Sequence, residues 1–170
     1  MIVFDGTKAQ DAVQELSRLL RYVLYDNQSA KVPLEKELGF IRDYISLMRI
    51  RLSSSMEISV NLDAGEKPIY IVPLIFISLI ENAFKHGISP TETSFIRISI
   101  QGNADESVRC EIVNSNHPKS LADKSGSGIG LPQVRRRLEL SYPHQYEWTE
   151  GTSDDSKVYT STLIIQTKES

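Results

Sequence analysis

The sequence has one cysteine, Cys110, in 170 residues. A lone thiol makes no internal disulfide and no multi-cysteine zinc site, which excludes a disulfide-stapled secreted scaffold and points to a reducing compartment. Long hydrophobic runs are also lacking. The longest apolar stretch, 69–80, is interrupted by Tyr70, Pro73 and Ser78 and is shorter than the ~20 residues needed to cross a bilayer. The first residues show neither the basic start nor the apolar core of a signal peptide. No sign of charge dominates: 19 Lys+Arg stand against 22 Asp+Glu, a formal charge of −3, which argues against a nucleic-acid partner. What is present, 40% hydrophobic and 24% charged residues, is the composition of one soluble folded domain that hides about 70% of its unfolded surface without a staple.

Two amphipathic helices open the chain. Ala9, Val13, Leu16, Leu20 and Val23 recur at spacings of 4, 3, 4 and 3, which predicts a helix over 9–23. Pro33 suits a first helical turn, and Leu34, Leu38, Ile41, Ile45, Met48 and Leu52 repeat the spacing. About two heptads per helix leave two readings open: a hairpin packed on its own domain, or a dimerising stem. After Ser53-Ser54-Ser55 the period changes, with Ile58, Val60 and Leu62 alternating as in a half-buried strand. Further strands are expected over 95–100 and 108–113, and a closing hairpin of 146–149 and 158–165 around a Gly151–Ser156 turn. Helices are expected over 73–86 and 131–141. That order predicts an α+β fold with helices on one face of a mostly antiparallel or mixed sheet.

From Pro73 to His86 nearly every position is apolar, as in a helix buried on most sides. Its polar exceptions are ordered. Ser78, Glu81, Asn82 and Lys85 fall at i, i+3, i+4 and i+7 and share one face, and Gly87 is expected to form a left-handed C-cap. Such a seam is ordinarily a solvated stripe. On the one free edge of so apolar a helix, however, a carboxylate, an amide and an ammonium are the groups that hold a hydrated cation and a phosphate. Glu81-Asn82 suits magnesium, which keeps several waters and takes one or two protein oxygens. Lys85, one turn on, is placed for phosphate oxygens. His86 is either a ligand or phosphate contact, or a last-turn histidine favoured by the helix dipole.

Gly126-Ser127-Gly128-Ile129-Gly130-Leu131 precedes the last predicted helix, and alternating glycines before a helix N-terminus let backbone N–H groups approach an anion. These glycines follow a polar stretch rather than a strand, which disfavours a dinucleotide fingerprint, and the absence of Gly-Lys-Ser/Thr excludes the Walker pattern. The segment 114–125 has no apolar period and reads as a lid. Arg135, Arg136 and Arg137 spread over much of a helix's circumference and are read mainly as solvated.

Together, 16–22 (LSRLLRY), 32–38 (VPLEKEL), 44–51, 72–88 (VPLIFISLIENAFKHGI) and 126–142 (GSGIGLPQVRRRLELSY) resemble the C-terminal catalytic region of LytS-type sensor histidine kinases. These are ATPases of the Bergerat fold, a two-layer α/β sandwich, shared with gyrase B, Hsp90 and MutL. The resemblance makes residues 81–87 the N box and 126–131 the second glycine box. It implies that Asn82 ligates Mg2+, that Glu81 orients water or the accepting imidazole, that Lys85 contacts phosphates, and that Gly126, Ser127, Gly128, Ile129, Gly130 and Leu131 cradle the triphosphate of ATP. The first glycine box falls at Asn114-Ser115-Asn116, where the sequence departs from the family's Asp-x-Gly. The amide oxygen of Asn114 can still accept the adenine amino hydrogen, without charge assistance. Asn116 replaces a glycine and is a residue type that tolerates positive φ.

The family's phosphoacceptor histidine lies in an Asn-Pro-His-Phe segment, and His86, His117 and His144 lack that context. The resemblance therefore implies a chain starting downstream of the acceptor. It would comprise a helical stem over 1–54, a remnant of the dimerisation region, and an ATP-binding catalytic domain over 55–170, which alone should not autophosphorylate. The partners expected are ATP, a response regulator and, in the intact protein, a second copy; a membrane enters only through upstream segments, and this part would be cytoplasmic. The competing expectation is a nucleotide-binding or dimerising adaptor without kinase activity, motivated by Asn114 and Asn116. A third, a protein serine kinase of the anti-sigma-factor kind, shares the ATP site without the paired stem.

Overall fold

The structure, a computed structural model, describes residues 6–23, 30–52, 55–89, 91–117 and 130–168. In chain order these form α1 (Gly6–Arg21), β1 (Val32–Pro33), α2 (Leu34–Arg51), β2 (Met56–Asp63), β3 (Tyr70–Ile71), α3 (Ile75–Gly87), β4 (Ser94–Gly102), β5 (Ser107–Ser115), α4 (Gly130–Ser141), β6 (Tyr146–Thr152) and β7 (Val158–Gln166).

The main sheet has the order β2-β4-β5-β7-β6. Only β2 and β4 pair in parallel, in register from Met56↔Ser94 to Asp63↔Gln101; the remaining pairs are antiparallel. The period-2 pattern decides the faces. Ile96, Ile98 and Ile100, Val108, Cys110 and Ile112, and Leu163 and Ile165 all turn to one side, where they are buried. Helices α2, α3 and α4 cover that side with Leu34, Leu38, Ile41 and Ile45, with Ile75, Phe76, Leu79 and Ile80, and with Val134 and Leu138. The result is the expected α+β sandwich of a mixed sheet under a helical layer.

Helix α2 is built into this core, whereas α1 rests on α2 through a second cluster of Leu19, Tyr22, Phe40 and Ile77. On α1, Val13, Leu16 and Leu20 stay exposed. Helix α2 also guards the free edge of β2: Arg42 donates to the carbonyl of Leu62 at 3.1 Å and Arg49 to that of Ile58 at 3.2 Å. A two-stranded ribbon of β1 and β3 pairs Val32 with Ile71 and so fixes how the chain enters α2 and α3.

Three local expectations are corrected. Helix α3 starts at Ile75 because Leu74 adopts φ 66. Gly87 is not a left-handed cap. It lies inside α3, and Ile88 follows in extended conformation at φ −106; a Cβ on Gly87 would come 3.1 Å from Asn114 Cβ, so the glycine is required by the close approach of α3 to β5. Strand β6 continues through Gly151 to Thr152, and the hairpin turn sits further on, closed by Ser153 N–H to Val158 O at 2.8 Å, with Ser156 at φ 58.

Candidate functional site

The polar seam of α3 faces the N-terminus of α4. Ser78, Glu81, Asn82, Lys85 and His86 line, with Gly130 and Leu131, a cleft of about 180 Å3. The seam arises because Phe76, Ile77, Leu79, Ile80, Ala83 and Phe84 are all buried, leaving α3 a single edge on which polar groups keep their hydration. Glu81 lies on the exposed side of that edge. Its carboxyl is nevertheless raised above the ordinary carboxylate range by lost hydration. Tyr44 of α2 stands near enough to respond: burial, then the charge of Glu81, pushes its phenol up to about 12, and its ring meets Phe84 edge-on at 5.9 Å. The sequence pattern offered Tyr44 only as a position on a helix.

Asn114 reaches the site region from β5. It is buried, 1% exposed, against Gly87. Its Nδ2 donates to Ser115 O at 2.9 Å, while its Oδ1 is buried with no hydrogen-bond partner among the described residues. A buried acceptor left open is costly, and with one N–H of Nδ2 held by Ser115 O the amide keeps Oδ1 as its open acceptor. Ser115 stitches the same corner, donating from Oγ to Gly87 O at 2.7 Å and accepting the N–H of Phe95 at 3.0 Å.

Asn116 is placed differently. Its N–H donates to Lys157 O at 2.7 Å and its Nδ2 to Ser156 O at 2.8 Å, so it braces the β6–β7 turn. It is not among the residues with positive φ, because its backbone continues the pairing toward β7 instead of turning as a glycine would. Gly126, Ser127, Gly128, Ile129 and most of the expected lid fall outside the described residues. Arg137 is not a solvated residue: it donates to Pro73 O at 2.7 Å. Ser94, His117 and Glu92 form a chain, 3.0 Å from Ser94 Oγ to Nε2 and 2.8 Å from Nδ1 to Glu92. Ser94 is only 3% exposed and its Oγ also accepts the N–H of Ser89, so this chain joins two backbone segments rather than presenting a nucleophile.

A family model described as histidine kinase matches residues 1–56. The sensor protein LytS of Streptococcus agalactiae serotype V is 25% identical over 154 residues, 84% of this chain and 26% of the relative. The sensor histidine kinase/phosphatase LytS of Staphylococcus aureus strain Mu50 is 24% identical over 152 residues, 82% of this chain and 26% of the relative. The chain thus spans about a quarter of the length of these relatives. Among solved structures, the histidine kinase domain of the Erythrobacter litoralis EL346 blue-light activated kinase aligns with a TM-score of 0.59 at 15% identity, over 94% of this chain and 75% of that one. The catalytic domain of histidine kinase ThkA aligns at 0.56 and 14%, over 82% and 97%. The fold is that of histidine kinase ATPase domains, the Bergerat type. More narrowly, the chain resembles the C-terminal region of LytS-type sensor histidine kinases, as its motifs indicate.

Proposed function

We propose that this chain is the ATP-binding catalytic domain of a two-component sensor histidine kinase, with residues 1–54 as the helical segment leading into a catalytic domain over 55–170 and α2 of that segment packed into the catalytic domain's core. The observation that carries the reading is the meeting of the α3 seam with the start of α4, with the open acceptor of Asn114 buried at the neighbouring corner. Asn114 Oδ1 is an atom that wants a donor, and the adenine amino group supplies one. The donor set on the seam is made of hard oxygens, the amide of Asn82 and the carboxylate of Glu81, and fits Mg2+. Asn82 would hold the ion and Glu81 would orient one of its waters; bound there, Mg2+ neutralises phosphate charge.

Lys85 adds a cation on the phosphate side, and the N–H groups that open α4 at Gly130 and Leu131 add dipoles of the same sense. In the intact protein an imidazole nitrogen from a histidine upstream of this chain attacks the γ-phosphorus, and the bond to the β-phosphate oxygen breaks as ADP leaves. Glu81, as an alternative to orienting a water on the ion, would hold the imidazole by accepting its N–H. A response regulator's aspartate then takes the phosphoryl group.

Calorimetric titration with ATP tests the site. The chain is expected to bind ATP more tightly with Mg2+ than without; Asn82→Ala should abolish that difference, and Asn114→Ala should weaken binding about tenfold in either condition, the equivalent of one lost hydrogen bond of ~1.4 kcal/mol. An Asn82→Ala variant that keeps the full magnesium effect would overturn the assignment of that residue. Absence of ATP binding would overturn the function. A version carrying the upstream histidine segment should accumulate acid-labile, base-stable phosphate, which an adaptor would not.

A further inference from the structure

The three residues leading into α3 are held from every side. Tyr142 Oη accepts the N–H of Val72 at 2.8 Å. Arg137 donates to Pro73 O at 2.7 Å and to Leu74 O at 3.4 Å. Glu37 Oε1 accepts the N–H of Leu74 at 2.6 Å, and the second oxygen of Glu37 accepts the hydroxyl of Tyr22. Leu74 itself has φ 66, a conformation that glycine adopts freely and leucine only under constraint. Its side chain packs against the cluster of Leu19, Tyr22, Phe40 and Ile77. Strap 72–74 is therefore the point where Tyr22 at the end of α1, Glu37 of α2 and both Arg137 and Tyr142 of the α4 region converge.

Glu37 is the unusual member, a carboxylate with 0% exposure. An apolar side chain of the same shape generally serves stability as well as a buried charge or better. What only the carboxylate provides is two directed acceptors, one for the strap and one for α1. Each residue of helix turns the chain by about 100°, so the angle at Leu74 decides where the face bearing Ser78, Glu81, Asn82 and Lys85 points. We infer that Glu37 is a positioning residue for the nucleotide site: by fixing Leu74 in the left-handed entry to α3 it sets the seam against the start of α4, and through Tyr22 it ties that setting to α1. This deepens the ATP-site reading and rests on it for its functional consequence, though not for its structural one.

The test uses the whole chain and two readouts. Glu37→Met keeps the volume and removes both acceptors; Glu37→Gln keeps an acceptor for Leu74. In Mg·ATP titrations Glu37→Met is expected to lose about tenfold in affinity and Glu37→Gln to stay within about twofold of wild type, a rescue that a volume-filling role would not produce. In amide NMR spectra without nucleotide, Glu37→Met should shift the signals of Glu81, Asn82 and Lys85, two to three turns beyond the strap. Tyr22→Phe, a milder change, should shift the same signals in the same direction by less, and serves if Glu37→Met does not fold. Seam signals that stay in place in a folded Glu37→Met, or in Tyr22→Phe when Glu37→Met is unfolded, overturn the positioning role. Equal affinity of Met and Gln variants overturns its functional consequence. A wild-type chain that takes up no Mg·ATP overturns the nucleotide reading alone, and the spectra still decide the positioning role.

Discussion

At Gly87 a hydrogen does what no side chain can. A methyl group there would press on Asn114 Cβ at 3.1 Å and Nδ2 at 3.2 Å, and a Cβ, whose position the backbone of β5 fixes, cannot swing aside. Gly87→Ala therefore sets a gain in helix propensity of about 1 kcal/mol against overpacking of about 1–3 kcal/mol. The expected balance is a loss of roughly 1 kcal/mol, read as a melting midpoint lower by about 2–4 °C. Unchanged stability would mean that α3 can back away from β5. Sequence reasoning singled out Gly87 but for its dihedral freedom, because a glycine after a helical run fits a C-cap as well as a close approach. Only the partner strand distinguishes the two. The same blindness applies to Leu74 and Glu37: no local signal marks a leucine for positive φ when the group that fixes it lies 37 residues upstream.

Among the elements, α3 was the most legible, since its polar period stands out against an apolar background and fixes a face without any tertiary knowledge. Helix α2 was legible as a helix but not as a guard for β2. Arg42 and Arg49 are seven apart, about 10 Å along the helix, and the carbonyls they reach, Leu62 and Ile58, are four apart, about 13 Å along the strand. The two elements thus run in opposite directions with matching spacing, and the bonds occupy acceptors that a bare edge would offer to another chain. Replacing both arginines by alanine is expected to cost about 1–2 kcal/mol in urea unfolding and to promote concentration-dependent association in sedimentation runs. A double variant that stays monodisperse would show that β2 is shielded by other means.

At the scale of the molecule, five carboxyl groups among the described residues are displaced from their ordinary range, in two opposite senses. Glu15, Glu37 and Glu81 are raised, each chiefly by lost hydration, whereas Asp105 and Asp155 are lowered by hydrogen bonds from Ser107 and Ser153. A raised acid binds its proton more tightly when folded, so its contribution declines as pH climbs from about 4.5 through the folded value. A lowered acid contributes above about 3.8 and loses that as pH drops through its folded value. Without nucleotide, the melting midpoint is therefore expected to rise as pH falls through the folded values of the three glutamates toward about 4.5, and to fall again below about 4. Glu37→Gln should flatten the first limb and leave the second. A midpoint that only declines on acidification would contradict the sign assigned to the three glutamates.

Because β2 and β4 lie side by side and point the same way, the chain between Asp63 and Ser94 must travel back along the full length of a strand before pairing can begin. The helix bearing the seam is part of that return journey. The pairing of β2, one of the sheet's two edge strands, and the placement of α3 are therefore set by the same crossover. In this architecture the parallel edge of the sheet and the helix with the polar seam belong to one unit of chain.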